Sequence, residues 1–586
     1  MESHIHEDNI DQLEKGMKDP LIIHPSKPLG GVRTLPFILA NDGFERAAYY
    51  GLQPNMILYL MGAYGLDMAT GSNIIFLWSA ATNFTPILGA LLADTYVGRF
   101  WMIGFGSIAT LLGMVLLWST TIIPGARPTS YDNTASISST SPTLFQLLYL
   151  CFSLGLMSIG AGGIRSSALA FGADQLVTIE SDENAKPESS KALASLFNWY
   201  YFSITISMLF ALTCIVYIQD HLGWQVGFAV PVSLMLVSAV SFFSASSFYV
   251  KVKPMASGLT RSAQVVVAAW RNRHYKFSSH PSSELVYHVA KGSATEFPTE
   301  KLGFLNKACI VKDPKPDLAP DEMAQDPWCL CTTDQVEEFK SIMNMIPLWS
   351  TGIMLSVSSV SLSSFLVLQA KSMDRHIFTP SFEIPPASFG TFALISVMTW
   401  LLLYDRVIIP LASKVMGKPV RIDVITRMGI GLLLSFLNMV LIGAVENVRR
   451  GTTREGDPST ALSALWLVPQ CCLLGLADAF TMIAQIEFFY SEFPRSMSCI
   501  SSNLAGLCVG VSSLIASFIL TVVNYVTKQG GKQSWVSSDP NKGHYDYYFW
   551  LLAGLNLLNY IGFVYCSRAY REGKRDSQAN IYSANE

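Results

Sequence analysis

The stretch Asn41-Asp42-Gly43-Phe44-Glu45-Arg46-Ala47-Ala48-Tyr49-Tyr50-Gly51 places two acids and an arginine inside the first long hydrophobic segment of the chain. At helical spacing Asp42, Glu45, Arg46 and Tyr49 stand at i, i+3, i+4 and i+7, so they share one helix face. Lipid tolerates ionisable side chains poorly, so three on one stripe must face a protein-lined cavity and compensate one another. A buried ion cluster that only fixes helix packing is the plainer alternative. Nothing structural requires so costly a charge density, and the stripe reads as part of a proton or ion pathway.

The rest of the chain agrees with a membrane setting. Its 586 residues are 50% hydrophobic and 14% charged, with a mean hydropathy of +0.35. Soluble domains usually carry about 25% charged residues. A net charge of −3 gives no reason to expect a nucleic-acid partner. Residues Met1 to Lys27 mix Glu7, Asp8, Asp11, Glu14 and Lys15 without an apolar core, so they read as a solvated tail and not a signal peptide. The ten cysteines are scattered, and Cys329 and Cys331 have neither a second pair nor a histidine cluster, so zinc and a disulfide framework are both rejected.

A bilayer crossing needs about 20 apolar residues. Twelve windows qualify, near 34–62, 71–93, 101–124, 143–172, 195–218, 224–249, 338–368, 387–412, 422–446, 461–490, 499–527 and 547–570. The expected plan is a tail at 1–33, a six-helix half at 34–250, a polar segment at 251–337, a second six-helix half at 338–570 and a tail at 571–586. Such a 6+6 plan resembles the two-halved MFS transporters, with a site at the midplane between the halves. The expected fold class is therefore an all-α membrane protein of twelve transmembrane helices. An even span count puts both tails and the central segment on one side. Lys251, Lys253, Arg261, Arg271, Arg273 and Lys276, with Arg406, Lys414, Lys418 and Arg421 and the tail residues Arg568, Arg571, Lys574 and Arg575, make that side cytoplasmic. Arg449, Arg450 and Arg454 are an exception on the opposite side. Within the central segment, Gly258 to Arg273 reads either as an amphipathic helix on the membrane surface or across the halves, or as a flexible linker. The runs Pro128 to Pro142 and Thr452 to Ser459 read as exposed loops.

Between the second and third windows lies Gly89-Ala90-Leu91-Leu92-Ala93-Asp94-Thr95-Tyr96-Val97-Gly98-Arg99-Phe100. Its small residues permit close helix approach, and Asp94 and Arg99 bracket a tight turn that can gate rocking or simply hold still. With this motif, the D-x-x-E-R stripe and Gln485-Ile486-Glu487-Phe488-Phe489, the chain resembles the proton-coupled oligopeptide transporters, and more closely their plant nitrate/peptide (NPF) branch. The resemblance runs from about Gly30 to Tyr570, and Gln53 to Leu60 also has a plant-branch look.

What the resemblance implies can be placed residue by residue. The family motif E-x-x-E-R/K falls on Asp42, Glu45 and Arg46, so the first acid is shortened, which could weaken its contact with Arg46. In the family this motif takes part in proton binding, which makes Glu45 the first choice for the coupling carboxylate. Burial disfavours a charged carboxylate and a neighbouring guanidinium favours it, so proton occupancy can respond to a substrate anion. Arg46 stays charged and is not the titrating group. The family lysine of the fourth span and acid of the tenth fall on Arg165 and Asp478, a pair expected to meet across the halves as substrate site or latch. Phe197-Asn198-Trp199-Tyr200-Tyr201-Phe202-Ser203-Ile204-Thr205-Ile206-Ser207 resembles F-x-x-F-Y-x-x-I-N-x-G, with Thr205 and Ser207 in place of Asn and Gly. Tyr49, Tyr201 and Ser359 are the expected cavity lining.

Some nitrate-transporting members carry a histidine in the seventh span. Here Ser359 is the nearest match and the span has no histidine, so a His-dependent nitrate site does not carry over. Phe100-Trp101-Met102 likewise leaves no threonine just after the G-R-[YF] turn. The expected function is proton-coupled transport of a small solute by alternating access, with nitrate first. A plant hormone or glycosylated metabolite comes second, with vacuolar export as one setting, and peptides third. A non-transporting nutrient receptor on the same scaffold is the reading from another class. No enzyme motif is present in the soluble segments. The expected partners are a small-molecule substrate and the lipid bilayer, with protons as coupling ion and no other cofactor. The plasma membrane is the expected location, with the vacuolar membrane as alternative.

Overall fold

The computed structural model describes residues 30–128, 141–177, 186–252, 258–274, 287–289, 297–299, 301–311, 324–376, 382–417, 422–453, 462–492 and 498–584. The N-terminal tail, most of the loop at 128–142 and the run after Thr453 lie outside them.

The first half contains α1 (Leu35–Ala63), α2 (Met68–Leu92), α3 (Arg99–Ile122), α4 (Leu144–Val177), α5 (Lys186–Phe210) and α6 (Val216–Ser244). A π turn at Ala211–Ile215 joins α5 to α6, and the chain reverses inside α6 at Gly223, whose φ of 80° suits a residue without Cβ. The linker helix α7 (Gly258–Arg271) precedes the second half, made of α8 (Thr333–Lys371), α9 (Gly390–Leu403), α10 (Ile409–Met416), α11 (Val424–Thr453), α12 (Val468–Glu492), α13 (Ser498–Lys528) and α14 (Tyr545–Ala584).

Among the described residues ten helical stretches are long and apolar enough to cross a membrane, and one of them, Ser195–Ser247, is 53 residues long and folds back at Gly223 into two crossings. The 29-residue α1 is a further crossing, made more polar by the Asp42–Arg46 stripe. This gives the twelve-helix, 6+6 architecture of an all-α membrane protein. Helix α8 begins ahead of its apolar window because Thr332 and Gln335 form a capping box, with bonds of 3.3 and 3.1 Å. Helix α14 runs on through the basic C-terminal segment to Ala584.

Helix α7 is present and amphipathic. It buries Val265, Ala268 and Ala269 against Leu305, Ala308, Cys309 and Cys331 of the central segment and Val336 at the start of α8, so its inner face is covered by protein. Burial there pushes the Cys309 and Cys331 thiols up to about 12.

Each half brings a charged residue inward through a bare glycine contact. In α4, a Cβ on Gly162 would lie 2.6 Å from Cβ of Thr85 on α2, and Arg165 follows three residues later. In α12, a Cβ on Gly475 would run into the Ala393 carbonyl of α9, and Asp478 follows three residues later. The fourth and second crossings of one half thus match the fourth and second of the other, a repeat of packing with no matching run of letters.

The apolar core differs between the two membrane faces. We call the face holding the start of α1 and the linker the terminal face, and the opposite one the far face. Towards the far face a single core joins both halves, from Met56, Tyr59 and Tyr64 to Phe365, Phe389 and Tyr548. Towards the terminal face each half has its own core: Ile38, Phe100, Phe171 and Phe242 in the first, Leu348, Met428, Phe488 and Phe563 in the second. The apolar core is continuous across the halves on the far side and divided between them on the terminal side.

Candidate functional site

All four stripe residues of α1 point into the first half. Glu45 is 1% exposed and takes both arms of Arg165 on α4, Nε to Oε2 at 2.8 Å and Nη2 to Oε1 at 2.9 Å. This planar two-bond fork is the strongest form of an arginine–carboxylate contact. Asp42, equally buried, accepts from Arg46 Nε at 2.8 Å, so the shortened side chain keeps its partner. Its second oxygen, Oδ1, has no hydrogen-bond partner among the described residues. Arg46 also donates from Nη2 to the Tyr200 hydroxyl of α5 at 3.1 Å. The Arg165 guanidinium lies 4.7 Å from the ring centre of Tyr49, which is backed by Trp78. Tyr49 is therefore a floor beneath Arg165, buried to 5% exposure, and not an open cavity wall.

The expected cross-half pair takes a different form. Arg165 spends its fork on Glu45, within its own half. Asp478 receives one bond, from Ser359 Oγ on α8 at 3.4 Å, and no cation lies within ion-pair distance of it among the described residues. The physical reason is geometric. A buried glutamate one helix away offers two coplanar oxygens, whereas the two halves stand apart on the terminal side. Ser359, half-buried, also returns a bond to the Leu355 carbonyl at 3.3 Å.

The aromatic segment of α5 also resolves differently from the sequence expectation. Tyr201 is 51% exposed, while Tyr200 is 7% exposed and holds Arg46. Tyr201, expected as cavity lining, thus stands one residue along from the side chain that meets the stripe, and a one-residue step turns a side chain by about 100° around a helix. On the same face, a Cβ on Gly43 would meet the Ser203 hydroxyl at 2.7 Å, so α1 and α5 touch here through a position without side chain.

At the terminal face, Asp94 and Arg99 pair at 3.2 Å across the turn made by Gly98, whose φ is 83°. Arg99 also reaches Asp174 at the end of α4, at 2.7 Å. Asp174 was not singled out from sequence. No spacing signal marks it, because its partner is 75 residues away. These contacts stay inside the first half.

The far face carries a charged clasp that sequence reasoning also missed. Arg375, in the loop after α8, lies 2.9 Å from Glu383 and 3.7 Å from Asp220 of the other half. His376 lies 2.7 Å from Asp374, and this contact holds the Asp374 carboxyl below the usual range. Asn73 of α2 bonds Thr521 and Ser517 of α13 at 3.0 and 2.8 Å, and Ser388 reaches the Leu212 carbonyl at 2.9 Å. Arg449 and Arg450, the exception to the charge asymmetry, are also accounted for here. Arg449 is 1% exposed and clasped by Glu446, and Arg450 pairs with Asp546 at 2.7 Å.

A family model described as the POT family matches residues 100–536. The chain is 48% identical over 553 residues to Protein NRT1/ PTR FAMILY 1.2 of Arabidopsis thaliana, covering 93% of this chain and 90% of that one. It is also 48% identical over 548 residues to Protein NRT1/ PTR FAMILY 1.1 of the same plant, covering 92% of each. Among solved structures, the POT family transporter PepTSo superposes with a TM-score of 0.67 at 18% identity, over 94% of this chain and 99% of that one, which supports the fold. The relatives, the matched family model and the two-halved helical fold agree: this chain is a member of the POT family of membrane transporters, in its NRT1/PTR branch.

Proposed function

We propose that the chain is a proton-coupled carrier that moves a small anionic solute by alternating access, with nitrate as the first candidate. The observation that carries this reading is the two-bond fork between Glu45 and Arg165. A proton on Glu45 removes the charge that occupies the fork, and Arg165 then offers two parallel donors to a planar oxyanion. Proton and anion favour each other's binding through one shared pair, which is a coupling free energy and reciprocal by necessity. The joined far face and separated terminal face make this the state open to the terminal side. By the charge asymmetry of the loops that side is cytoplasmic, and the plasma membrane is the location we favour over the vacuolar membrane.

A second reading rests on Asp478. Among the described residues its carboxylate meets only a serine hydroxyl, so the second half can receive a donor group from the solute. That favours an organic solute, such as a hormone, a glycoside or a peptide, over a bare inorganic anion. Currents evoked by nitrate against a panel of organic acids, glycosides and dipeptides, recorded at pH 5.5 and 7.5, distinguish the two. Glu45→Gln is expected to abolish the pH dependence with surface abundance intact, and unaltered proton-driven uptake would sink the scheme. Ligand-induced signalling without flux would instead favour a receptor.

A further inference from the structure

Arg46 is the one cation of the stripe that stands beside Glu45 in sequence, yet it does not pair with it. It is held between two acceptors on different helices: Asp42 at 2.8 Å, one turn back on α1, and the Tyr200 hydroxyl at 3.1 Å on α5. The Tyr200 ring is buried, and its centroid lies 5.9 Å from the Arg46 guanidinium carbon. The hold from Asp42 is single. Only Oδ2 is used, and Oδ1 is buried without a partner among the described residues. Glu45, in contrast, has both oxygens engaged by Arg165. The stripe is thus divided into two separate pairs, and the second needs an anchor from another helix.

We propose that Tyr200 is a positioning residue for proton coupling: its hydroxyl draws Arg46 towards α5 and keeps it off Glu45, so that Glu45 faces one guanidinium and not two. This rests on the reading of Glu45 as the coupling carboxylate. Without the hydroxyl, Arg46 retains a one-oxygen hold on Asp42 and is free to share Glu45. A second positive charge makes that carboxylate harder to protonate, so more acid is needed to drive the same step. The groups facing Glu45, Arg46 and Arg165 are Arg165 itself on α4, Asp42, Tyr49 and Tyr50 on α1, and Tyr200 on α5.

The test needs no knowledge of the solute. Spin labels at Leu222 and Phe382, exposed far-face positions in opposite halves, report opening of that face in purified protein in liposomes as pH is varied. Tyr200→Phe is expected to lower the midpoint of the pH response by about one unit. Adding Asp42→Glu, whose longer side chain can grip Arg46 with both oxygens, is expected to return it. An unchanged or raised midpoint in Tyr200→Phe overturns the proposal, as does a lowered midpoint that Asp42→Glu does not reverse. Glu45→Gln in the same labelled background separates the two readings. A pH response that survives it removes Glu45 as the coupling group, and the role of Tyr200 with it. Loss of the response together with an unmoved Tyr200→Phe midpoint removes only the role of Tyr200.

Discussion

The two faces of the membrane domain are built on opposite principles. On the far side one apolar core runs through both halves, and polar bonds cross between them at Asn73–Thr521, Ser388–Leu212 and Asp220–Arg375. On the terminal side the cores are separate, and the ion pairs Asp94–Arg99–Asp174 and Asp423–Arg571 each remain inside one half. Apolar burial and polar bonds tie the halves together on the far side, whereas charge pairing on the terminal side acts within each half. Between them, at mid-depth, lie Glu45–Arg165 and Asp478, the groups of the proposed coupling scheme.

The contrast is broken most completely by making the far face permanent. Asn73→Cys with Thr521→Cys, oxidised to a disulfide, is expected to reduce uptake of the transported solute to background, with full recovery on reduction. Activity in the oxidised protein would show that this face need not part. Next in size is Arg165→Gln, which leaves Glu45 buried without its cation. The expected cost is about 3–5 kcal/mol, read as a lower melting temperature in detergent. Adding Glu45→Gln should recover most of that loss, because the uncompensated charge is gone. If Asp478 were the true partner of Arg165, Glu45→Gln would give no recovery.

A smaller effect is expected at the clasp. Arg375→Asp faces Asp220 and Glu383 with a like charge and should bias the far face towards opening by roughly two- to fivefold, consistent with about 0.5–1 kcal/mol for a partly exposed pair. Asp220→Arg in the same protein should restore the closed population. The pH dependence of the clasp loop has a definite sign. The Asp374 carboxyl is lowered by its hydrogen bonds from His376, so its contribution is present above the ordinary carboxylate value of about 3.9 and fades only as pH falls through the lower native value. Amide protection factors in the loop, which correct for the base catalysis of exchange, should therefore show no loss of the Asp374 contribution between pH 7 and pH 5. The smallest effect belongs to Ser359→Ala, whose 3.4 Å bond to Asp478 is long, with an expected change under about 1 kcal/mol in solute affinity. A tenfold loss would place Ser359 in direct contact with the solute.

Much of this organisation was legible in the letters. Charge density in an apolar window marked α1, and helical spacing placed Asp42, Glu45, Arg46 and Tyr49 on one face, as found. The apolar windows located the membrane helices to within a few residues for most of the chain, with larger departures at the start of α5 (Lys186), the end of α11 (Thr453), the start of α12 (Val468) and the charged extension of α14, and a smaller one at the capping box of Thr332. Partner choice was not legible. Arg165 turns to a glutamate 120 residues earlier, Arg46 meets Tyr200 on another helix, and the clasp joins residues distant in sequence that no periodicity relates. Spacing along one helix fixes which side chains share a face, but which face meets which is decided by helix rotation and close approach, at contacts such as Gly162–Thr85.

The buried arginine at the far end of α11 bears on how the chain enters the membrane during synthesis. Arg449 finds its carboxylate at Glu446, three residues earlier on the same helix, while its other partners, Pro540 and Asn541, emerge about ninety residues later. The segment leaving the ribosome thus carries a counter-charge for Arg449 at one turn's distance, whereas the neighbouring Arg450 gains its carboxylate, Asp546, only once α14 exists. The later loop then locks a helix already in place.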